Sequence, residues 1–187
     1  DVATLCGTDG TPVEINRVVS NLPYATGTRI LVELARTPVP PAGMVVTVQK
    51  EVADRIVATP GTADYGLLSI WLQARYRVAG LRVVGPRCFY PVPEVDSTVV
   101  SLVRSEAAAS VPARLYALTR QAFGQRRKRV ARTLSGPARP PAAVEAALRG
   151  AGADPDARPE ALSVAQWLAL AALLSEASGF DSAAPGQ

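Results

Sequence analysis

Short apolar runs alternate with segments of helical periodicity along the first half of the chain. The apolar runs predict strands around residues 18–19, 44–48, 76–84 and 97–103, and apolar residues at helical spacing predict helices at 28–35, 50–58 and 65–74. Strands that alternate with helices are typical of an α/β sheet. No helix separates the last two strands, which predicts an antiparallel pair at one edge of the sheet.

The second half of the chain is predicted to be helical, after a linker of small residues at 105–110. The predicted helices are one long helix over residues 112–134, a second over 141–149 that stops at Gly150, and a third that begins at Ser163. Ser163 and Gln166 have the spacing of a capping box, with Leu162 and Trp167 placed as its hydrophobic staple. We therefore expect two domains, an α/β domain over residues 1–106 and a helical domain over 107–187.

The composition is that of a folded protein and excludes several kinds of chemistry. Of 187 residues, 48% are hydrophobic and 19% charged, and the longest apolar stretch, 167–174, is far shorter than the ~20 residues of a membrane span. The chain has no histidine, so Ser-His-Asp sites and His-ligated metals are excluded. Cys6 and Cys88 lie far apart, which favours a reducing cytoplasm and no metal site. We expect no secretion signal.

Positive charge is concentrated at the start of the helical half. Residues 111–139 contain eight basic residues and no acidic one, whereas 140–187 contain two basic and six acidic residues. Such a block is typical of a protein that binds a phosphate backbone. The basic residues that we assign to RNA are Arg114, Arg126, Arg127, Lys128, Arg129 and Arg132. In one continuous helix Arg114, Lys128 and Arg132 lie opposite the apolar stripe, although a solvated helix face is the alternative.

The first candidate site is Asn21-Leu22-Pro23-Tyr24, directly after a predicted strand. In open α/β sheets, ligands bind at the carboxyl ends of the strands. The Asn21 side chain and the carbonyl of Pro23 offer two acceptors, and Tyr24 offers a ring face. Such a set could hold a flat base that carries an exocyclic amine, although an ordinary turn is the alternative.

The second candidate site is the aromatic and proline-rich segment 89–93. Its two prolines fix the backbone and hold Phe89 at a set angle. A fixed aromatic ring can stack on a nucleic-acid base, which contributes ~1–3 kcal/mol. The alternative is a rigid connection between two edge strands.

Six segments occur in the order of one known family. They are Asn21-Leu22-Pro23-Tyr24, residues 49–55 (QKEVADR), 65–69 (YGLLS), 89–97 (FYPVPEVDS), 123–128 (FGQRRK) and 162–167 (LSVAQW). Together they closely resemble the ribosomal RNA small-subunit adenine dimethyltransferases, the KsgA type, from about Asp1 to Leu174. Two residues depart from the family pattern. The family usually has Arg where Leu67 stands, and many of its members have Asn where Ala25 stands.

The resemblance implies an α/β protein: the C-terminal half of a Rossmann-like methyltransferase domain, followed by a small all-helical domain. It implies S-adenosylmethionine as methyl donor and dimethylation of N6 of two adjacent adenosines near the 3′ end of small-subunit ribosomal RNA, during ribosome maturation in the cytoplasm. The implied partner is the small ribosomal subunit. We expect no membrane partner, and we expect the complete enzyme to be a monomer. The family's Gly-rich donor loop has no counterpart, and we expect it upstream of Asp1.

The resemblance also implies roles for individual residues. Asn21 and the carbonyl of Pro23 accept hydrogen bonds from the adenine amino group, which aims the nitrogen lone pair at the donor's methyl group. Tyr24 and Phe89 stack on the base, and Asp1 and Asn21 contact the donor.

Two other functions stay open on the sequence alone. One is the large-subunit rRNA adenine dimethyltransferase that confers antibiotic resistance, which shares the Asn-Leu-Pro-Tyr-like loop. The other is an RNA-binding ribosome-assembly factor without catalysis, which needs the basic block but no donor site.

Overall fold

The chain divides into two units, the first ending at Val111 and the second beginning at Pro112. The structure, a computed structural model, describes residues 16–106, 108, 111–137 and 139–176. Asp1 lies outside these residues.

Four strands form a mixed sheet in the described part of the first unit. Its strands are β1 (Arg17–Asn21), β2 (Gly43–Gln49), β3 (Tyr76–Val84) and β4 (Ser97–Arg104), in the spatial order β1-β2-β4-β3. β1 pairs parallel with β2, whereas β4 pairs antiparallel with both β2 and β3. The predicted α/β class and the antiparallel pair at the edge are confirmed.

Three helices accompany the sheet and bury one of its faces. They are α1 (Gly27–Arg36), α2 (Lys50–Val57) and α3 (Leu67–Gln73). Alternate residues of β2, such as Met44 and Val46, are buried against Leu31 and Leu34 of α1 and Ile56 of α2. Because alternate residues of a strand point to one face, this packing fixes the register of β2 and the place where β1 ends.

The described residues of the second unit form four α-helices. They are α4 (Arg114–Phe123), α5 (Val130–Leu134), α6 (Pro141–Gly150) and α7 (Val164–Glu176). The prediction of one long helix over residues 112–134 is wrong, because residues 124–129 are not helical. The amide of Val130 donates to the carbonyl of Ala157 at 2.9 Å instead of to a carbonyl one turn earlier. The amide of Lys128 donates to the carbonyl of Gln125 at 2.7 Å, which closes a turn. These two bonds replace the hydrogen bonds that a continuous helix would make here.

The start of α7 is capped as predicted. The amide of Ser163 donates to Gln166 Oε1 at 2.9 Å, and the amide of Gln166 donates to Ser163 Oγ at 3.2 Å. Leu162 and Trp167 are both buried, and the Trp167 ring lies 6.2 Å from the ring of Phe123. This reciprocal pair satisfies backbone donors that a helix start otherwise leaves open.

Neither a membrane-spanning helix nor a metal cluster is found among the described residues. None of the helices within them is long and apolar enough to cross a bilayer. The same residues contain no group of three or more Cys, Asp or Glu that could hold a metal ion.

Candidate functional site

The Asn-Leu-Pro-Tyr segment lies at the carboxyl end of β1. Asn21 is the last residue of that strand, and residues 22–26 lead into α1. The amide of Leu22 donates to the carbonyl of Thr47 at 3.1 Å, which holds the loop against β2. No described residue forms a hydrogen bond with the Asn21 side chain, which is exposed. Its amide is therefore available to a ligand.

A cleft of about 270 Å³ joins this segment to the aromatic and proline-rich one. It is lined by Asn21, Leu22, Pro23, Tyr24, Phe89, Tyr90, Pro91 and Pro93. We call it the neutral cleft, because none of these side chains is charged at neutral pH. The structure thus brings together Asn21, Pro23, Tyr24 and Phe89, four residues that the sequence analysis singled out in two separate segments.

The Tyr24 ring is tied to the sheet by its hydroxyl. Tyr24 Oη lies 2.8 Å from Ser97 Oγ, while 37% of the residue remains exposed at the neutral cleft. Ser97 begins β4 and is fully buried. Sequence reasoning gave Ser97 no role, although it is the last residue of the quoted segment 89–97.

The carbonyl of Pro23 is committed to the start of α1. It accepts the amide of Gly27 at 2.7 Å and that of Thr26 at 3.2 Å. Because a carbonyl oxygen has two lone pairs, these bonds fill both acceptor positions. The structure therefore disfavours the role of amine acceptor that the resemblance implied for Pro23.

Phe89 and Tyr90 differ in how firmly they are held. Phe89 is half-buried, and its amide donates to the carbonyl of Pro86 at 3.1 Å, which closes the short 3₁₀-helix Pro86–Cys88. Tyr90 is 100% exposed. Phe89 is therefore the better-placed of the two rings to form a fixed wall of the neutral cleft.

The second unit carries a larger cleft of about 700 Å³ around α5. It is lined by Arg127, Lys128, Arg129, Ala131, Arg132, Ser135, Pro141, Glu145, Asp156 and Arg158. We call it the basic cleft. The break after α4 is what gathers these cations, since four consecutive residues of one continuous helix point in directions about 100° apart.

Two acidic residues in the basic cleft are already paired. Arg129 lies 2.7 Å from Asp156, and Glu145 lies 3.3 Å from Arg149. Within the described residues, no ion pair engages the other four cations of the cleft, which are Arg127, Lys128, Arg132 and Arg158. The cleft is therefore net positive, and Arg158 is a member that sequence reasoning missed.

Two of the arginines predicted to bind RNA are engaged elsewhere. Arg114 is half-buried and donates to the carbonyl of Leu174 at 2.6 Å. Arg126 lies 3.8 Å from Glu160. The positive charge of Arg114 also acts on Arg139. The pKa of Arg139 is lowered mainly by burial and to a smaller extent by this charge. The bond to Leu174 ties Arg114 to α7, and its predicted contact with RNA stays a prediction.

Two solved structures share the fold of this chain. The chain is similar to a dimethyladenosine transferase from Plasmodium falciparum, with a TM-score of 0.72 and 19% identity, covering 88% of this chain and 68% of that one. It is also similar to the 23S rRNA methyltransferase ErmE, with a TM-score of 0.63 and 24% identity, covering 94% and 70%. The fold is that of the Rossmann-like methyltransferases.

Within this class, the chain belongs to the ribosomal RNA adenine dimethylase family, whose family model matches residues 12–176. It is 44% identical over 161 residues to the ribosomal RNA small subunit methyltransferase A of Kineococcus radiotolerans, covering 83% of this chain and 52% of that protein. The protein of the same name from Anoxybacillus flavithermus is 39% identical over 178 residues, covering 91% and 60%. The chain thus spans between half and two thirds of the length of these relatives.

Proposed function

We propose that this chain carries the target-base and RNA-binding parts of an S-adenosylmethionine-dependent enzyme that dimethylates N6 of two adjacent adenosines near the 3′ end of small-subunit ribosomal RNA. The observation that carries the proposal is the neutral cleft, where Asn21 meets the rings of Tyr24 and Phe89. The names of the relatives, ribosomal RNA small subunit methyltransferase A, support the choice of the small subunit. Its place of action is the cytoplasm, on the maturing subunit.

In the neutral cleft, the adenine amino group donates one hydrogen bond to the Asn21 side chain. The second acceptor is the carbonyl of Leu22, to which no donor among the described residues is bound, because the carbonyl of Pro23 serves α1. Two acceptors hold both amino protons and leave the nitrogen lone pair directed out of the base plane. Tyr24 and Phe89 stack on the base and fix its plane.

Positioning supplies most of the rate in this scheme. Holding a nucleophile and an electrophile in reactive geometry accounts for several kcal/mol of barrier lowering. The amine becomes acidic once it is methylated and loses its proton to water, so no histidine is required. A chain without histidine is therefore compatible with this chemistry.

S-adenosylmethionine supplies the electrophilic methyl group when it is bound. The described lining of the neutral cleft fits a flat, uncharged base and contains no charged side chain for the ammonium and carboxylate of this donor. Of the described residues we assign only Asn21 to contact with the donor. Asp1, assigned to the same role, lies outside the described residues.

The basic cleft holds the RNA backbone in this proposal. Its cations without an ion pair among the described residues are Arg127, Lys128, Arg132 and Arg158. Arg129 also binds RNA when a phosphate replaces Asp156 as its ion-pair partner. Each phosphate that a cation neutralises releases condensed counterions, so the affinity is steeply dependent on salt. The RNA partner is the small ribosomal subunit.

The test uses a chimera, because the chain spans only part of its relatives. The 161 matched residues of the Kineococcus radiotolerans relative are replaced by those of this chain. Small ribosomal subunits that lack the two dimethyladenosines receive labelled S-adenosylmethionine, with large-subunit RNA as competitor. We expect the label on N6 of two adjacent adenosines near the 3′ end of the small-subunit RNA.

Other outcomes contradict the proposal. Label in large-subunit RNA assigns the chain to the antibiotic-resistance type. Absence of label in a chimera that still binds both the donor and the subunit indicates an assembly factor without catalysis.

A further inference from the structure

The hydrogen bond between Tyr24 and Ser97 joins the neutral cleft to the first residue of β4, a strand that lies between β2 and β3. Its two oxygen atoms lie 2.8 Å apart, and 73 residues of chain separate the partners. The proposed chemistry uses the face of the Tyr24 ring and assigns nothing to its hydroxyl.

Ser97 is fixed from both sides. It pairs in register with Gln49 of β2 and with Val84 of β3, and it is fully buried. The preceding residue, Asp96, accepts the amide of Lys50 at 2.9 Å, which ties this point to the start of α2. The backbone at Ser97 is therefore held by two strands and by the start of a helix, and this fixes the position from which the Ser97 hydroxyl reaches Tyr24.

Tyr24 has less support of its own. It lies in the connection between β1 and α1, and 37% of it is exposed. A half-exposed ring in a turn changes rotamer readily unless its far end is held. The Ser97 hydroxyl supplies that hold.

Phe89, the other aromatic residue assigned to the target base, is connected to Ser97 along the chain. Phe89 lines the cleft and begins the segment 89–97, whose last residue is Ser97. Tyr24 is thus joined to Ser97 by a side-chain hydrogen bond, and Phe89 is joined to it by the chain segment 89–97.

We propose that Ser97 is a positioning residue, whose hydroxyl holds the Tyr24 ring at a fixed angle in the neutral cleft so that the target base stacks in one orientation. Its action on the base rests on the proposed function, whereas its hold on the ring does not. The effect is orientational, since a neutral hydrogen bond to a half-exposed phenol contributes little to net stability and water can replace it. The loss of the hydroxyl therefore affects turnover far more than folding.

The first experiment measures the ring directly in the 187-residue chain. Aromatic ¹³C NMR relaxation of Tyr24 is recorded for the wild type and for Ser97→Ala, with Ser97→Thr as the variant that keeps the hydroxyl on a strand-compatible residue. We expect a rigid ring in the wild type, a mobile ring in Ser97→Ala and recovered rigidity in Ser97→Thr. Equal ring mobility in the wild type and Ser97→Ala overturns the proposal, whatever the function of the chain.

The second experiment measures methyl transfer by the chimera. Ser97→Ala is expected to lower kcat roughly tenfold with little change in KM for the subunit, because displaced positioning groups reduce the rate of the chemical step. Tyr24→Phe removes the same hydrogen bond, so the double variant is expected to be no slower than either single variant. A Ser97→Ala variant with full kcat, or multiplied losses in the double variant, contradicts the positioning role.

The two proposals fail in different ways. A wild-type chimera that methylates nothing refutes the proposed function and leaves the NMR result to decide the role of Ser97. A chimera that methylates the expected adenosines while Tyr24 is equally mobile with and without the hydroxyl refutes the positioning role alone.

Discussion

The neutral cleft and the basic cleft use opposite means of recognition. The first is small, at about 270 Å³, and uncharged, and its position is set by hydrogen bonds of the loop to β2 and β4. The second is larger, at about 700 Å³, and is lined by five cations against two acids. Oriented acceptors and rings select one chemical group, whereas charge attracts any phosphate backbone. In this account, affinity and chemistry therefore reside in different units.

The largest expected effect is that of Asn21→Ala on the neutral cleft. Loss of the amide removes one of two acceptors for the adenine amino group, and we expect kcat of the chimera to fall by on the order of a hundredfold or more. Affinity for the subunit is expected to stay within about twofold, because the basic cleft is untouched.

Asn16→Ala is the matched control, since Asn16 is an exposed asparagine just before β1. It is expected to leave both kcat and affinity unchanged. An Asn21→Ala enzyme that methylates at the normal rate contradicts the assignment of the neutral cleft.

The next effect concerns the basic cleft. Replacing Arg127, Lys128 and Arg132 together by Ala removes three cations that have no ion pair within the described residues. Because each phosphate contact releases counterions, we expect RNA affinity near physiological salt to fall by on the order of tenfold or more. Filter binding of a 3′-terminal fragment of small-subunit RNA measures this loss.

A smaller effect on RNA affinity is expected when single arginines inside and outside the basic cleft are compared. Arg158→Ala is expected to weaken RNA binding a few-fold, whereas Arg120→Ala, an exposed arginine of α4 that does not line the cleft, is expected to weaken it less. Equal losses in the two variants, measured by the same titration, indicate that total charge matters and the cleft does not.

The smallest effect is at a surface ion pair of the first unit. The hydrogen bond to Asp54, at 2.7 Å, raises the pKa of Lys50. A raised pKa stabilises the fold while the lysine is charged, so this contribution is present below pH 10.5 and is lost as the pH rises above it. Lys50→Met is expected to lower Tm slightly at pH 8 and not at pH 11.5, by calorimetry. If the Tm difference between wild type and Lys50→Met persists at pH 11.5, the lower stability of the variant is due to lost packing and not to the lost ion pair.

The elements of the first unit follow closely from local sequence. β3 was predicted over residues 76–84 and is observed over Tyr76–Val84, and the neutral cleft joins two segments that the sequence marked separately. Apolar periodicity and prolines act within a few residues, so such features are visible in the sequence. The bonds of the Pro23 carbonyl, predicted as an amine acceptor, were not foreseen: it accepts the amides of Thr26 and Gly27. The start of a helix leaves its first amides without partners inside the helix, so the predicted helix start does signal such bonds.

The second unit shows where sequence reasoning fails. The periodicity of 112–134 predicts one helix, yet Val130 bonds to Ala157, a partner 27 residues away that no local pattern reveals. Gly124 is the only local signal of the break, and glycine alone does not end a helix. Arg158 was missed for the same reason, since it joins the cleft through tertiary packing.

The most direct test of the division between the two clefts is a salt titration of RNA affinity for three forms of the chain. These are the wild type, Asn21→Ala and the variant that lacks Arg127, Lys128 and Arg132. We predict that log affinity falls steeply and equally with log salt for the wild type and Asn21→Ala, and that the slope of the third form is shallower by roughly 2. A wild-type slope near zero, or a slope changed by Asn21→Ala and not by loss of the three cations, contradicts the account.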